Sequence, residues 1–218
     1  MNKSSAALAD RMRRKYVDRL GEDGEKFEQY IDVITRQAGD IRRMVDEFSR
    51  FARLPEPEMK EENLVDLTES ALVLQREGRS DITYESHLPN RAVPQICDRG
   101  LINQCLVNLL QNSADAIEAR QDADDAPPGK IVVQLTVGSR SNRLLVIDNG
   151  IGLPRENRER LKEPYVTNRA NGTGLGLSIV ARIIEQHGGE ISLGDAAGVF
   201  GQDGALVEIR LPRPAEWR

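Results

Sequence analysis

The chain has 218 residues, with 30 Lys and Arg against 35 Asp and Glu and a formal net charge of −5. That length can bury one full domain plus an appendage, and the scattered basic residues give no electrostatic argument for nucleic acid. No stretch approaches a membrane span or a signal peptide, so the chain is expected to be cytoplasmic and to make no membrane contact of its own.

Leu8 to Leu20 reads as a charged helix that Gly21-Glu22-Asp23-Gly24 breaks. A longer helix follows from about Lys26 to Arg53, where Pro55 and Pro57 stop it. Phe27, Ile31, Ile34, Ala38, Ile41, Val45, Phe48 and Ala52 recur at helical spacing and make an apolar stripe that needs a partner. Either a second hairpin covers it, as in a four-helix dimerisation bundle, or it docks on the chain's own second domain.

Beyond the prolines the pattern becomes mixed, and the division expected is 1–58 for the helical hairpin and 59–218 for an α/β domain. Strands are expected near Ile82–Ser86, Val93–Ile96, Ile131–Val137, Leu144–Ile147, Glu190–Leu193 and Ala205–Leu211. Three helices should cover one face of the sheet, giving a two-layer sandwich. The two cysteines, Cys97 and Cys105, stand in apolar surroundings without metal-ligand spacing and read as reduced core residues.

From Arg99 onward Leu101, Ile102, Cys105, Leu106, Leu109 and Leu110 recur at helical spacing, so Asn108, Asn112 and Asp115 share a neighbouring face. Neutral amide oxygens suit Mg2+, which keeps several waters and takes further ligands from phosphates; Asn112 is the candidate metal ligand. Alone, such a pair is more readily a solvated helix face. Asp148 stands at the exit of the second central strand, where a carboxylate can accept from an exocyclic amine while Gly150 and Gly152 let backbone approach a flat base. By itself, Asp-Asn-Gly is an ordinary turn signal.

Leu153 to Asn171 is rich in charge and poor in apolar periodicity, as a lid over a bound nucleotide would be. Then comes Gly172-Thr173-Gly174-Leu175-Gly176-Leu177, and from Gly174 an amphipathic helix is expected to run to His187. The cluster lacks the Lys-Ser/Thr of a Walker A loop and has no strand feeding it. A helix start offers free N–H groups and a positive dipole end to phosphate, so Thr173, Gly174 and Leu175 are candidate backbone or hydroxyl contacts.

In order, Asn108-Leu-Leu-Gln-Asn112-Ser-Ala-Asp115-Ala116, Asp148-Asn149-Gly150-Ile151-Gly152 and Gly172 to Leu177 resemble the N, G1 and G2 boxes of the GHKL ATPase/kinase superfamily. Arg11-Met-Arg-Arg-Lys-Tyr16 and Thr35 to Arg53 resemble the dimerisation and phosphotransfer hairpin of NtrY-type sensor histidine kinases. The resemblance covers nearly the whole chain. It implies ATP and Mg2+ as ligands, Asp148 on the adenine amino group, and Asn108, Asn112, Asp115, Gly150, Gly152 and the Gly172, Thr173, Gly174, Leu175, Gly176, Leu177 run around the nucleotide. It also places an F box at Leu161-Lys162-Glu163-Pro164-Tyr165-Val166-Thr167-Asn168-Arg169. There Tyr165 stands for the second aromatic and Arg169 where a lysine is frequent, while Lys162, Thr167 and Arg169 either meet phosphates or are solvated lid positions.

Kinases of this type begin the hairpin with a histidine followed by an acid and a proline-bearing stretch. Met1-Asn-Lys-Ser-Ser-Ala-Ala7 occupies the end of that segment without it, which implies a truncated chain or a natural lack of the acceptor. Neither His87 nor His187 has the acceptor's surroundings. Hydrolytic relatives carry a glutamate at the position of Asn108, and an amide cannot act as that base, so slow hydrolysis and transfer to a histidine supplied from elsewhere are implied. Asn108 and Asn112 are the catalytic candidates. The implied partners are a response regulator, a histidine-bearing kinase segment and a second copy of the chain, and the chain would be the cytoplasmic part of a membrane-bound sensor. The alternative is a nucleotide-binding regulatory module acting by protein contact; a serine-directed anti-sigma kinase fits less well, because those lack the hairpin and keep the glutamate.

Overall fold

The computed structural model describes residues 3–52, 54–120, 127–167, 173–200 and 204–213. The chain divides into two compact units between Leu54 and Pro55. In the first, α1 (Lys3–Tyr16) and α2 (Gly24–Ala52) are joined by short 3-10 turns at Val17–Arg19 and Gly21–Asp23. The first helix therefore ends before the expected Leu20. The Leu20 N–H is shared between the Tyr16 and Val17 carbonyls, and Gly21 takes a φ of +54° that few side chains tolerate. Tyr16 meets Phe27 edge-on with ring centroids 6.4 Å apart, and Arg13 pairs with Asp32, so the hairpin closes at its turn. Ile31 is buried, whereas Ile34, Ile41, Val45 and Phe48 of the same stripe are exposed. Arg53, the expected end of this helix, lies outside the described residues.

The second unit is a sheet with helices on one face, as the pattern required. It comprises β1 (Lys60–Asn63), α3 (Leu64–Gly78), β2 (Thr83–His87), β3 (Pro94–Cys97), α4 (Arg99–Arg120), β4 (Lys130–Val137), β5 (Ser141–Asp148), α5 (Gly176–Gln186), β6 (Glu190–Asp195), the single turn α6 (Ala197–Phe200) and β7 (Ala205–Pro212). The main sheet runs β2-β4-β5-β7-β6; β2 and β4 are parallel and the other pairs antiparallel. Alternation along β5 puts Asn142, Leu144, Val146 and Asp148 on one buried face, against which α3, α4 and α5 supply Leu64, Ile102, Leu106 and Ile184. Across the sheet, Val132 and Ile147 pack with Ala196, and Arg143 and Arg210 hold the buried Glu208. Cys97 and Cys105 are buried free thiols, and burial pushes the Cys97 thiol up to about 12.

Two expectations are corrected. The strand near Val93–Ile96 exists one residue later but does not join the main sheet; it pairs with β1, a strand that the sequence pattern did not predict, in a separate two-stranded ribbon. Asn63 fixes that ribbon, because its Oδ1 accepts from Val65 at 3.1 Å, capping α3, and from Val93 at 2.9 Å. The glycine-cluster helix starts at Gly176 rather than Gly174, since Gly174 has a φ of +70°.

Candidate functional site

Asn108, Asn112 and Asp115 lie along α4, on the face left by the buried row Leu101, Ile102, Cys105, Leu106, Leu109 and Leu110. Asn112 and Asn108 are both half-buried. The Asn112 amide stands against the first turn of α5: a β-carbon built on Gly176 would lie 3.5 Å from both its terminal atoms. One turn earlier, the Nδ2 of Asn108 is buried without a hydrogen-bond partner among the described residues. Asp115 accepts from Gln111 at 2.7 Å, which holds it in place at half exposure.

Asp148 ends β5 as a buried carboxylate, 3% exposed. Its Oδ1 accepts from the Gly150 N–H at 2.9 Å and from the Ala205 N–H at 3.4 Å. Asn149 beside it is structural: its side chain accepts from the Lys130 N–H at 2.8 Å and donates to the Pro128 carbonyl at 2.9 Å, closing the turn onto β4. Gly150 is required by close approach, because a β-carbon there would fall 2.6 Å from the Ala116 carbonyl carbon. Gly152 has a φ of +74°. Gly204, which the sequence reading did not single out, belongs to the same site; a β-carbon on it would come 2.2 Å from the Asp148 carbonyl oxygen.

In the segment read as a lid, a 3-10 turn spans Arg158–Lys162 with Leu161 buried. Arg158 donates to the Pro154 carbonyl at 3.1 Å and pairs with Asp195 at 2.5 Å, and Lys162 pairs with Glu159. Tyr165 is exposed with a φ of +66°, and its N–H donates to the Gly174 carbonyl at 3.1 Å. Gly174 admits no side chain, since a β-carbon would fall 2.6 Å from the Tyr165 carbonyl carbon. Tyr165 and Gly174 therefore meet backbone to backbone. Thr167 is exposed, and Arg169 and Gly172 lie outside the described residues.

The Thr173 hydroxyl accepts from the Leu175 N–H at 3.4 Å, and the Leu175 side chain is wholly buried, leaving only its backbone for a ligand. The N-cap residue Leu175 makes no side-chain capping bond, and the first turn of α5, with half-buried Gly176 and Leu177, is a candidate anion site. His187 ends the helix: its Nε2 accepts from the Asp98 N–H at 3.0 Å and its Nδ1 lies 2.7 Å from the Ile183 carbonyl. Exposed His87 pairs with Glu85 at 2.7 Å. His187 thus stands at the opposite end of α5 from Gly176, and His87 ends β2.

The family described as histidine kinase-, DNA gyrase B- and HSP90-like ATPase matches residues 97–215. The nitrogen regulation protein NtrY of Azorhizobium caulinodans is 44% identical over 208 residues, or 95% of this chain, which spans 26% of that protein. The nucleotide-free catalytic domain of histidine kinase ThkA is 30% identical with a TM-score of 0.61, over 74% of this chain and 99% of that one. ThkA in complex with response regulator protein TrrA is 25% identical with a TM-score of 0.70, over 99% of this chain and 63% of that one. Among the described residues no helix is long and apolar enough to cross a membrane. The chain belongs to the histidine kinase-, DNA gyrase B- and HSP90-like ATPase family, and its second unit is similar to histidine kinase catalytic domains.

Proposed function

We propose that residues 59–218 bind ATP with Mg2+ and pass its γ-phosphate to a histidine other than His87 and His187, for onward transfer to a response regulator. Residues 1–58 serve as part of a dimerisation and phosphotransfer hairpin, with Ile34, Ile41, Val45 and Phe48 facing a second copy. The observation that carries the reading is the amide pair of α4: among the described residues the Asn108 Nδ2 is buried without a hydrogen-bond partner, and the Asn112 amide borders the first turn of α5. An N–H2 without a partner suits a phosphate oxygen, and the Asn112 Oδ1 suits a hard cation. Bound Mg2+ supplies charge neutralisation on the phosphates.

Asp148 selects adenine by accepting from its amino group, with Gly150 and Gly152 admitting the base. Thr173, Gly174, Leu175, Gly176 and Leu177 line the phosphates with main-chain N–H groups and a hydroxyl. Asp115, Lys162, Tyr165, Thr167, Arg169 and Gly172 complete the surround. A neutral imidazole attacks with its own lone pair, so transfer to histidine needs no general base on this chain. Water would need one, and the Asn108 amide cannot serve. The γ-phosphorus gains a bond to imidazole nitrogen as its bond to the ADP oxygen breaks, while the α5 dipole steadies the charge.

Calorimetry with ATP tests the reading. Asp148→Ala should lower ATP affinity at least about ten-fold while the fold survives, the loss of a charge-assisted hydrogen bond. Asn112→Ala should weaken Mg2+-dependent binding more than Mg2+-free binding. Unchanged ATP affinity in Asp148→Ala would overturn the adenine assignment, and equal losses in Asn112→Ala the metal assignment.

A further inference from the structure

We propose that Arg120 is a positioning residue for adenine recognition, fastening the Asp148 turn to the helix that carries Asn108 and Asn112. The proposal rests on the assignment of Asp148 to adenine. Arg120 is the last residue of α4. Its Nη1 donates to the Asn149 carbonyl and its Nη2 to the Pro127 carbonyl at 2.5 Å. Among the described residues it has no carboxylate partner, and its Nε is buried without a hydrogen bond. A half-buried guanidinium so placed spends its donors on main-chain oxygens.

Which oxygen it holds gives the arrangement its meaning. The Asn149 carbonyl belongs to the same peptide unit as the Gly150 N–H, and that N–H donates to the Asp148 Oδ1 at 2.9 Å. A peptide unit is a rigid plane with its oxygen and hydrogen at opposite ends, so fixing one fixes the direction of the other. Arg120 grips one end of the plane, and the other orients the Asp148 carboxylate. A cation on the carbonyl also polarises the peptide and strengthens the N–H as a donor. One turn earlier on α4, the Ala116 carbonyl accepts from the Ile151 N–H at 3.1 Å. The turn is thus pinned to one helix on both sides of Gly150, and α4 sets the adenine-reading carboxylate and the phosphate-facing amides in one frame.

Calorimetric titration of the full chain with ATP and with GTP, each with Mg2+, tests this in Arg120→Met, Arg120→Lys, Asp148→Ala and the Arg120→Met/Asp148→Ala pair. Arg120→Met should lower ATP affinity about five- to ten-fold, the loss of one charged hydrogen bond, and narrow the ATP/GTP ratio. Arg120→Lys, which keeps a cation and donors, should recover part of both. In the Asp148→Ala background, Arg120→Met should change ATP affinity by less than about two-fold, because the group it positions is gone. A wild-type ATP/GTP ratio in folded Arg120→Met, or its full effect persisting without Asp148, would overturn the proposal. If Arg120→Met does not fold, Arg120→Lys decides: an intermediate ratio supports the proposal and a wild-type ratio overturns it. Wild-type behaviour of Asp148→Ala would instead strike down the adenine assignment and this proposal with it, whereas a ratio lost in Asp148→Ala and kept in the Arg120 variants removes this proposal alone.

Discussion

The backbone N–H of Asp98 donates to the Nε2 of His187 at 3.0 Å, joining the start of α4 to the end of α5. Because Nε2 accepts, the ring proton sits on Nδ1, where it reaches the Ile183 carbonyl. Both helices that frame the candidate site are joined through this one imidazole. The Asp98 carboxylate works at the same junction. Burial opposes its charge, but N–H donors from Leu101 and Glu58 outweigh burial and hold it below the ordinary carboxylate range.

His187→Ala should therefore destabilise the second unit by about 1–3 kcal/mol, the penalty of leaving a buried N–H unpaired. Urea denaturation checks the size. The same variant, incubated with γ-labelled ATP, should show labelling no different from wild type. Label lost from the chain in His187→Ala alone would make this histidine an acceptor and contradict its structural role.

Glu208 carries the clearest pH dependence. Hydrogen bonds from Arg143 outweigh the opposing effect of burial and, with Arg210, bring its carboxyl from 4.5 to about 2. The folded value lies below the unfolded one, so the stabilisation is fully present above about pH 4.5 and is lost as pH falls toward 2. It amounts to something on the order of 2–3 kcal/mol. Glu208→Gln should be less stable at neutral pH and lose less stability between pH 4.5 and 2, as thermal unfolding across that window would show. Parallel pH profiles for the two proteins would contradict the assignment.

Gly204→Ala should lower stability by about 1–3 kcal/mol and reduce ATP affinity, because the added methyl meets the Asp148 carbonyl oxygen and must displace the turn. Gly78→Ala, at a glycine with open space around it, should leave both unchanged or raise stability slightly. Equal behaviour of the two variants would mean that Gly204 does not constrain the site.

Most of the frame was legible because it rests on local signals. Helical spacing from Leu101 to Leu110 placed Asn108 and Asn112 on α4, and the β-branched run ending at Ile147 put Asp148 at a strand exit. β1 escaped notice because Lys60-Glu-Glu-Asn63 has no apolar alternation; it is held by pairing with β3 and by the Asn63 side chain. Gly204 and Arg120 were invisible for a different reason. Their roles lie in contacts with Asp148 and Asn149, far away in sequence, and no periodicity reports such a contact. Val93–Ile96 was recognised as extended, but a strand's own residues do not say which sheet it joins.

Transfer of label tests the central claim most directly. The chain is incubated with γ-labelled ATP and Mg2+, alone and with a separate helical hairpin that carries an acceptor histidine with the flanking acid and proline. Alone, it should remain unlabelled, since neither His87 nor His187 has the sequence surroundings of an acceptor. With the hairpin, acid-labile label should appear on the added fragment and vanish in Asn112→Ala. Acid-stable label on the chain itself, or no label on a demonstrably docked hairpin while ATP still binds, would contradict the account.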